Sequence, residues 1–62
     1  MIYILTYTMG EISGLFENAF TDRTKAEKAF KDLKLTKEYW RKELWCLSDG
    51  KRTLVKEERL NA

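Results

Sequence analysis

The chain has 62 residues, with twelve Lys and Arg against ten Asp and Glu, for a net charge of +2 with the two signs interspersed. That balance argues against a dedicated nucleic-acid or membrane binder, whose surface carries a strongly basic face. A hydrophobic fraction of 44% with eight aromatic residues excludes a disordered chain. A domain this short buries only about 60% of the surface its unfolded form exposes, so its core is thin.

A single Cys rules out an internal disulfide, and an unstapled chain of this size is expected in the cytoplasm. The longest apolar run, Ile2 to Leu5, is far short of the roughly 20 residues that cross a bilayer, and no basic segment precedes it as in a signal peptide. No membrane partner is expected. With no Pro, repeat or low-complexity tract, residues 1–62 read as one domain.

MIYILTYT is rich in Ile, Tyr and Thr, which suit a pleated surface, and predicts a central strand. Met9-Gly10-Glu11 supplies a turn, and ISGLFENAF returns as a second strand. With Gly10-Glu11 as a two-residue loop, Leu5 is expected opposite Phe16 and Met1 opposite Phe20. A helix follows from about Asp22 to Lys34, capped by Thr21 or Asp22, with Ala26, Ala29, Phe30 and Leu33 on one stripe. On its wet side Glu27 with Lys31 and Lys28 with Asp32 are spaced to form ion pairs.

RKELWCLSDGKRTLVKEER then predicts a hairpin turning at Asp49-Gly50, the central pair of a type I′ turn. This pairs Cys46 with Thr53, Trp45 with Leu54 and Leu44 with Val55. It also sets Glu43 opposite Lys56, Lys42 opposite Glu57 and Arg41 opposite Glu58, three favourable pairs that support the register. The expected fold is α+β: ββαββ, a mostly antiparallel four-stranded sheet with one helix packed on one face.

Alternation sorts this hairpin into two apolar faces: Tyr39, Trp45, Leu47 and Leu54 on one, and Trp40, Leu44, Cys46 and Val55 on the other. A helix about 20 Å long and about 10 Å wide covers one side only. The compact residues Leu44, Cys46 and Val55 suit the covered side. Tyr39, Trp45, Leu47 and Leu54 are then left as an open patch of aromatic and aliphatic anchors ringed by charge, the composition of a binding hot spot.

Catalytic chemistry finds little here. The chain has no His, no phosphate-binding glycine loop and no cluster of metal ligands, so no enzyme activity, cofactor or metal is expected. Cys46 lacks a base to activate it and reads as a small hydrophobe. Glu57 and Glu58, adjacent on a strand, point to opposite faces and cannot share a proton. Tyr3 and Tyr7 could stack nucleobases, but core packing is the commoner use. Lys25, Lys28, Lys31 and Lys34, three apart, spread over half the helix circumference and suit a solvated face.

The order of MIYILTYT and ENAFTDRTKAEKAF, with Tyr3, Phe20, Thr21 and Ala26 at the matching positions, resembles small uncharacterised proteins of bacteriophage genomes. The likeness covers Met1 to Leu33, and the Trp-rich second hairpin departs from it. It implies an accessory protein of a phage or mobile element acting in the host cytoplasm. The expected function is therefore a non-enzymatic protein-binding module that inhibits or redirects a host protein through the uncovered sheet face. Self-association into a homodimer would use the same patch. The alternative is a small nucleic-acid-binding regulator using the Lys side of the helix with Arg41 and Lys42.

Overall fold

A computed structural model of the chain describes residues 1–60, apart from the side chains of residues 13–16. It contains β1 (Ile2–Met9), β2 (Ile12–Phe20), α1 (Arg23–Asp32), β3 (Tyr39–Ser48) and β4 (Lys51–Arg59). The strands form one antiparallel sheet in the order β2-β1-β3-β4, so the strand at the N-terminus is central, as its apolar alternation requires. The helix between β2 and β3 packs on one face, giving the expected ββαββ fold. No helix among the described residues is long and apolar enough to cross a membrane.

The core is Tyr3, Leu5, Ala26, Phe30 and Leu44, flanked by the partly buried Phe20, Ala29, Leu33, Cys46 and Val55. Leu44, Cys46 and Val55 thus lie on the helix side, where their compact shapes predict them. The whole helical stripe meets that side too. Asp22 begins the helix: its carboxylate accepts a hydrogen bond from the Thr24 N–H at 2.9 Å, and its carbonyl accepts from Ala26 N–H. Asp22→Ala is expected to lower stability by about 1 kcal/mol, read as a lower urea midpoint.

Both turns fall where the sequence places them, but both registers differ. Met9 faces Ile12 across Gly10-Glu11, with Gly10 at φ 59, yet an irregularity between Thr6 and Thr8 shifts the remainder of β2 by two residues. Leu5 therefore faces Asn18 and Tyr3 faces Phe20, in place of the expected Phe16 and Met1 partners. The Phe16 side chain lies outside the described residues. Tyr3 is a core residue and Met1 is 78% exposed, so the shift brings Phe20 to the core and leaves Met1 at the rim.

In the second hairpin Asp49 and Gly50 have φ 52 and 75, as a type I′ turn needs, and Cys46–Thr53 and Trp45–Leu54 pair as expected. Beyond them a bulge leaves Val55 unopposed, so Leu44 faces Lys56 and Lys42 faces Glu58. The three expected charge pairs dissolve; Glu43 instead faces Glu57, and Arg41 faces Arg59. Two tertiary contacts accompany this register. The bulge turns Lys56 and Glu58 to the helix side, where Lys56 meets Glu27 of α1 at 2.8 Å and Glu58 meets Lys42 at 3.5 Å. Glu27 pairs with Arg23 and Lys56 in place of Lys31.

Lys42 is the least expected residue of the interior. It is 2% exposed, and its ammonium donates to the Phe30 and Leu33 carbonyls, the latter at 2.7 Å, while lying over the Phe30 ring at 4.5 Å from its centroid. The last carbonyls of a helix have no partners within it. A strand side chain supplies them here.

Candidate functional site

The face away from the helix is built from the even residues of β1 and the odd residues of β3. From one end it carries Ile2 and Ile4 beside Leu47 and Trp45, with Leu54 of β4 outside Trp45. Toward the other end lie Thr6 and Thr8 beside Glu43 and Arg41, with Glu57 and Arg59 on β4. One end is apolar and the other is charged.

The charged end is ordered as a checkerboard. Like charges face each other directly, and each is neutralised along its own strand or on the diagonal: Arg41 to Glu43 at 2.9 Å, Arg41 to Glu57 at 3.8 Å, and Arg59 to Glu57 at 3.0 Å. Glu43, only 3% exposed, also accepts a hydrogen bond from the Thr8 hydroxyl at 3.1 Å. The guanidiniums of Arg41 and Arg59 each lie 5.9 Å from the Trp40 ring, whose N–H donates to the Gly10 carbonyl. The Glu43 carboxylate raises the affinity of the Arg41 guanidinium for its proton, so this residue stays charged.

At the apolar end the Trp45 indole N–H donates to Thr6 at 3.3 Å, and the Arg52 guanidinium lies 5.8 Å from the Trp45 ring. Arg52 of β4 also reaches Glu17 of β2 at 3.7 Å. These strands are the two edges of the sheet, about 14 Å apart if it were flat. Their approach shows that the sheet bows toward this face, where Thr6 and Thr8 are 2% and 3% exposed without a covering layer among the described residues. Trp45 and Leu47 are half-buried in the bow. Leu54 and Ile2 stand at its rim, 44% and 41% exposed.

Trp45, Leu47 and Leu54 are therefore brought together, and Tyr39 is not. A bulge leaves Trp40 unopposed between the Arg41–Thr8 and Tyr39–Met9 pairs, which reverses the alternation at the start of β3. Tyr39 turns to the helix side and packs on Tyr7, their ring centroids 5.2 Å apart and the Tyr7 hydroxyl donating to the Lys34 carbonyl. Burial, and then the neighbouring Tyr39, raise the Tyr7 phenol above its ordinary value of 10.0. Trp40, which the alternation assigns to the helix side, stands instead with the two arginines. Ile2, Ile4 and Arg52 join the patch without being singled out from sequence. For Ile2 and Ile4 the signal is the second alternation of β1, which is apolar on both faces as far as Leu5.

Arg41 and Lys42, the two hairpin cations of the nucleic-acid reading, point to opposite faces, and each is engaged by acceptors inside the chain. On the helix side, Lys56 and then Arg23 hold the Glu27 carboxyl below its ordinary value of 4.5. A lowered folded-state value means this carboxylate stabilises the fold above pH 4.5, and the contribution is lost as pH falls through the lowered value. Unfolding curves taken between about pH 6 and about pH 3 should show a shallower acid loss in Glu27→Gln than in the parent chain.

No protein-family model matches the chain, and comparison with curated proteins and with solved structures finds no match.

Proposed function

We propose that the chain is a non-enzymatic protein-binding module whose docking surface is the apolar end of the bowed face, formed by Ile2, Trp45, Leu47 and Leu54. The observation that carries this reading is the exposure of Ile2 and Leu54 beside a half-buried Trp, on a sheet face that no element among the described residues covers. Removing such surface from water is favourable by about 25 cal/mol per Å², and a Trp pre-set by its bond to Thr6 loses little freedom on docking. Arg52 and Glu17 supply a polar rim. In keeping with the phage resemblance, the partner is a host protein that the module inhibits or redirects; a second copy would use the same patch.

Docking through the face is favoured over addition of a strand at the β4 edge. The outer strand β4 carries the Val55 bulge and charges at Lys51, Arg52, Lys56, Glu57, Glu58 and Arg59, the features that blunt an edge as a template for pairing.

Leu54→Glu tests the patch without disturbing the core, because Leu54 lies at the rim. The variant is expected to keep its urea midpoint to within about 0.5 kcal/mol while losing capture of the proteins retained by the parent chain, or losing the dimer by light scattering. Equal capture and unchanged association in the folded variant would reject the patch. Trp45→Glu is the less clean probe, because the indole also covers Thr6 and its carboxylate would approach Glu43.

A further inference from the structure

The helix layer is half empty. The backbone of α1 approaches β1, β2 and β3 but not β4, leaving a trough of about 950 Å³ between the outer flank of the helix and the last strand. Its lining holds the apolar side chains of Leu33, Leu35 and Leu60, with Leu60 38% exposed, and reaches down to the buried Phe30 and the Lys42 that covers its ring. Lys28, Lys31 and Lys34 stand along the helix wall, and Lys56 stands on the strand wall. The carboxylates in the lining, Glu27 and Glu58, are already taken up by Lys56 and Lys42. Lys28, Lys31 and Lys34 have no acidic partner among the described residues.

We propose that this trough docks an acidic amphipathic helix of a partner protein, laid beside α1 as a second member of the helix layer. The volume suits about two turns of a helix about 10 Å wide. Leucine-type residues of the guest cover the floor, and its Asp and Glu meet the three unpaired lysines. A second copy of α1 does not suit, because that helix carries Arg23, Lys25, Lys28 and Lys31 against Glu27 and Asp32 and would bring like charge. A nucleic-acid backbone would answer the lysines but leave Leu33, Leu35 and Leu60 uncovered. This surface lies on the opposite side of the sheet from the Trp45 patch and does not depend on it.

The test uses the full chain and a fluorescent peptide of about 18 residues, with Leu on one helical stripe and Glu on the other face. Its companions are a scrambled peptide of identical composition and a single-stranded DNA oligonucleotide. Fluorescence anisotropy should show the amphipathic peptide binding at least about tenfold more tightly than the scrambled one. Joint replacement Lys31→Glu and Lys34→Glu should weaken it by about tenfold or more, whereas Lys25→Glu, outside the trough, and Leu54→Glu, on the other face, should leave it within about twofold. Equal binding of the scrambled peptide, equal weakening by Lys25→Glu, or tighter binding of the oligonucleotide would each overturn the assignment.

Discussion

Replacing Lys42 by Met is expected to lower the stability of the chain by about 2–4 kcal/mol, seen as a fall of roughly 10 °C or more in the thermal midpoint. The Met side chain matches the length of the lysine stem and keeps its packing, so the loss isolates the ammonium. Two helix carbonyls lose a charged donor in a place that is 2% exposed, and hydrogen bonds to charged groups contribute about 1.5–3 kcal/mol each. Relief of the desolvation cost of a buried cation works in the opposite direction and trims the loss. The lost bonds win because the carbonyls remain buried without a substitute. Glu58→Gln provides the contrast: that carboxylate is 59% exposed at 3.5 Å from the ammonium, and its removal should cost about 0.5 kcal/mol or less. A large loss in the first variant and a small one in the second would show that Lys42 acts as a helix cap rather than as half of an ion pair.

Leu44→Ala should be at least as damaging, costing about 2–5 kcal/mol in urea unfolding. Leu44 is fully buried, opposite Leu5 on the central strand pair and below Ala26 and Phe30 of the helix. A chain of this size has a total stability of roughly 3–9 kcal/mol, so the variant sits near the limit of folding. The core has only five buried members, and the helix cannot sink into the cavity without breaking the Lys42 contacts that hold its end. Leu54→Ala, on the other face, removes the same atoms from a position 44% exposed and should cost less than about 1 kcal/mol. The two substitutions separate the core side of the sheet from the docking side.

Much of this architecture is legible in local sequence. The i, i+3, i+4, i+7 recurrence of Ala26, Ala29, Phe30 and Leu33 carries its information within one segment, and so does the Asp49-Gly50 turn. The registers do not, because each is decided by a bulge whose benefit lies elsewhere in the chain. Val55 bulges where Lys56 can reach Glu27 and Glu58 can reach Lys42, and facing-charge arithmetic within the hairpin cannot see either partner. The same blindness misplaces Tyr39 and Trp40, which exchange faces through a single extra residue in β3. Lys42 leaves a clearer trace. Its alternation with Leu44 and Cys46 already points it at the helix, where a lysine beside a helix end has carbonyls to bind.

The candidate patch was legible only in part, since Tyr39 lies on the other face and Ile2 joins it. Trp45, Leu47 and Leu54 share a face as their alternation requires, but the bow that half-buries Trp45 is marked by Arg52 reaching Glu17 across the sheet, two residues 35 positions apart. The same bow accompanies the burial of Thr6, Thr8 and Glu43 on a face without a second helix.

The most direct measurement is photocrosslinking in the cell that makes the chain, with a photoreactive benzoylphenylalanine replacing Leu54 in one experiment and Lys25 in another. Light-dependent adducts with one defined protein, or with a second copy, at position 54 and none of these at position 25 is the result expected. Absence of any adduct at position 54, or the same adducts from both positions, would contradict a docking surface on the bowed face.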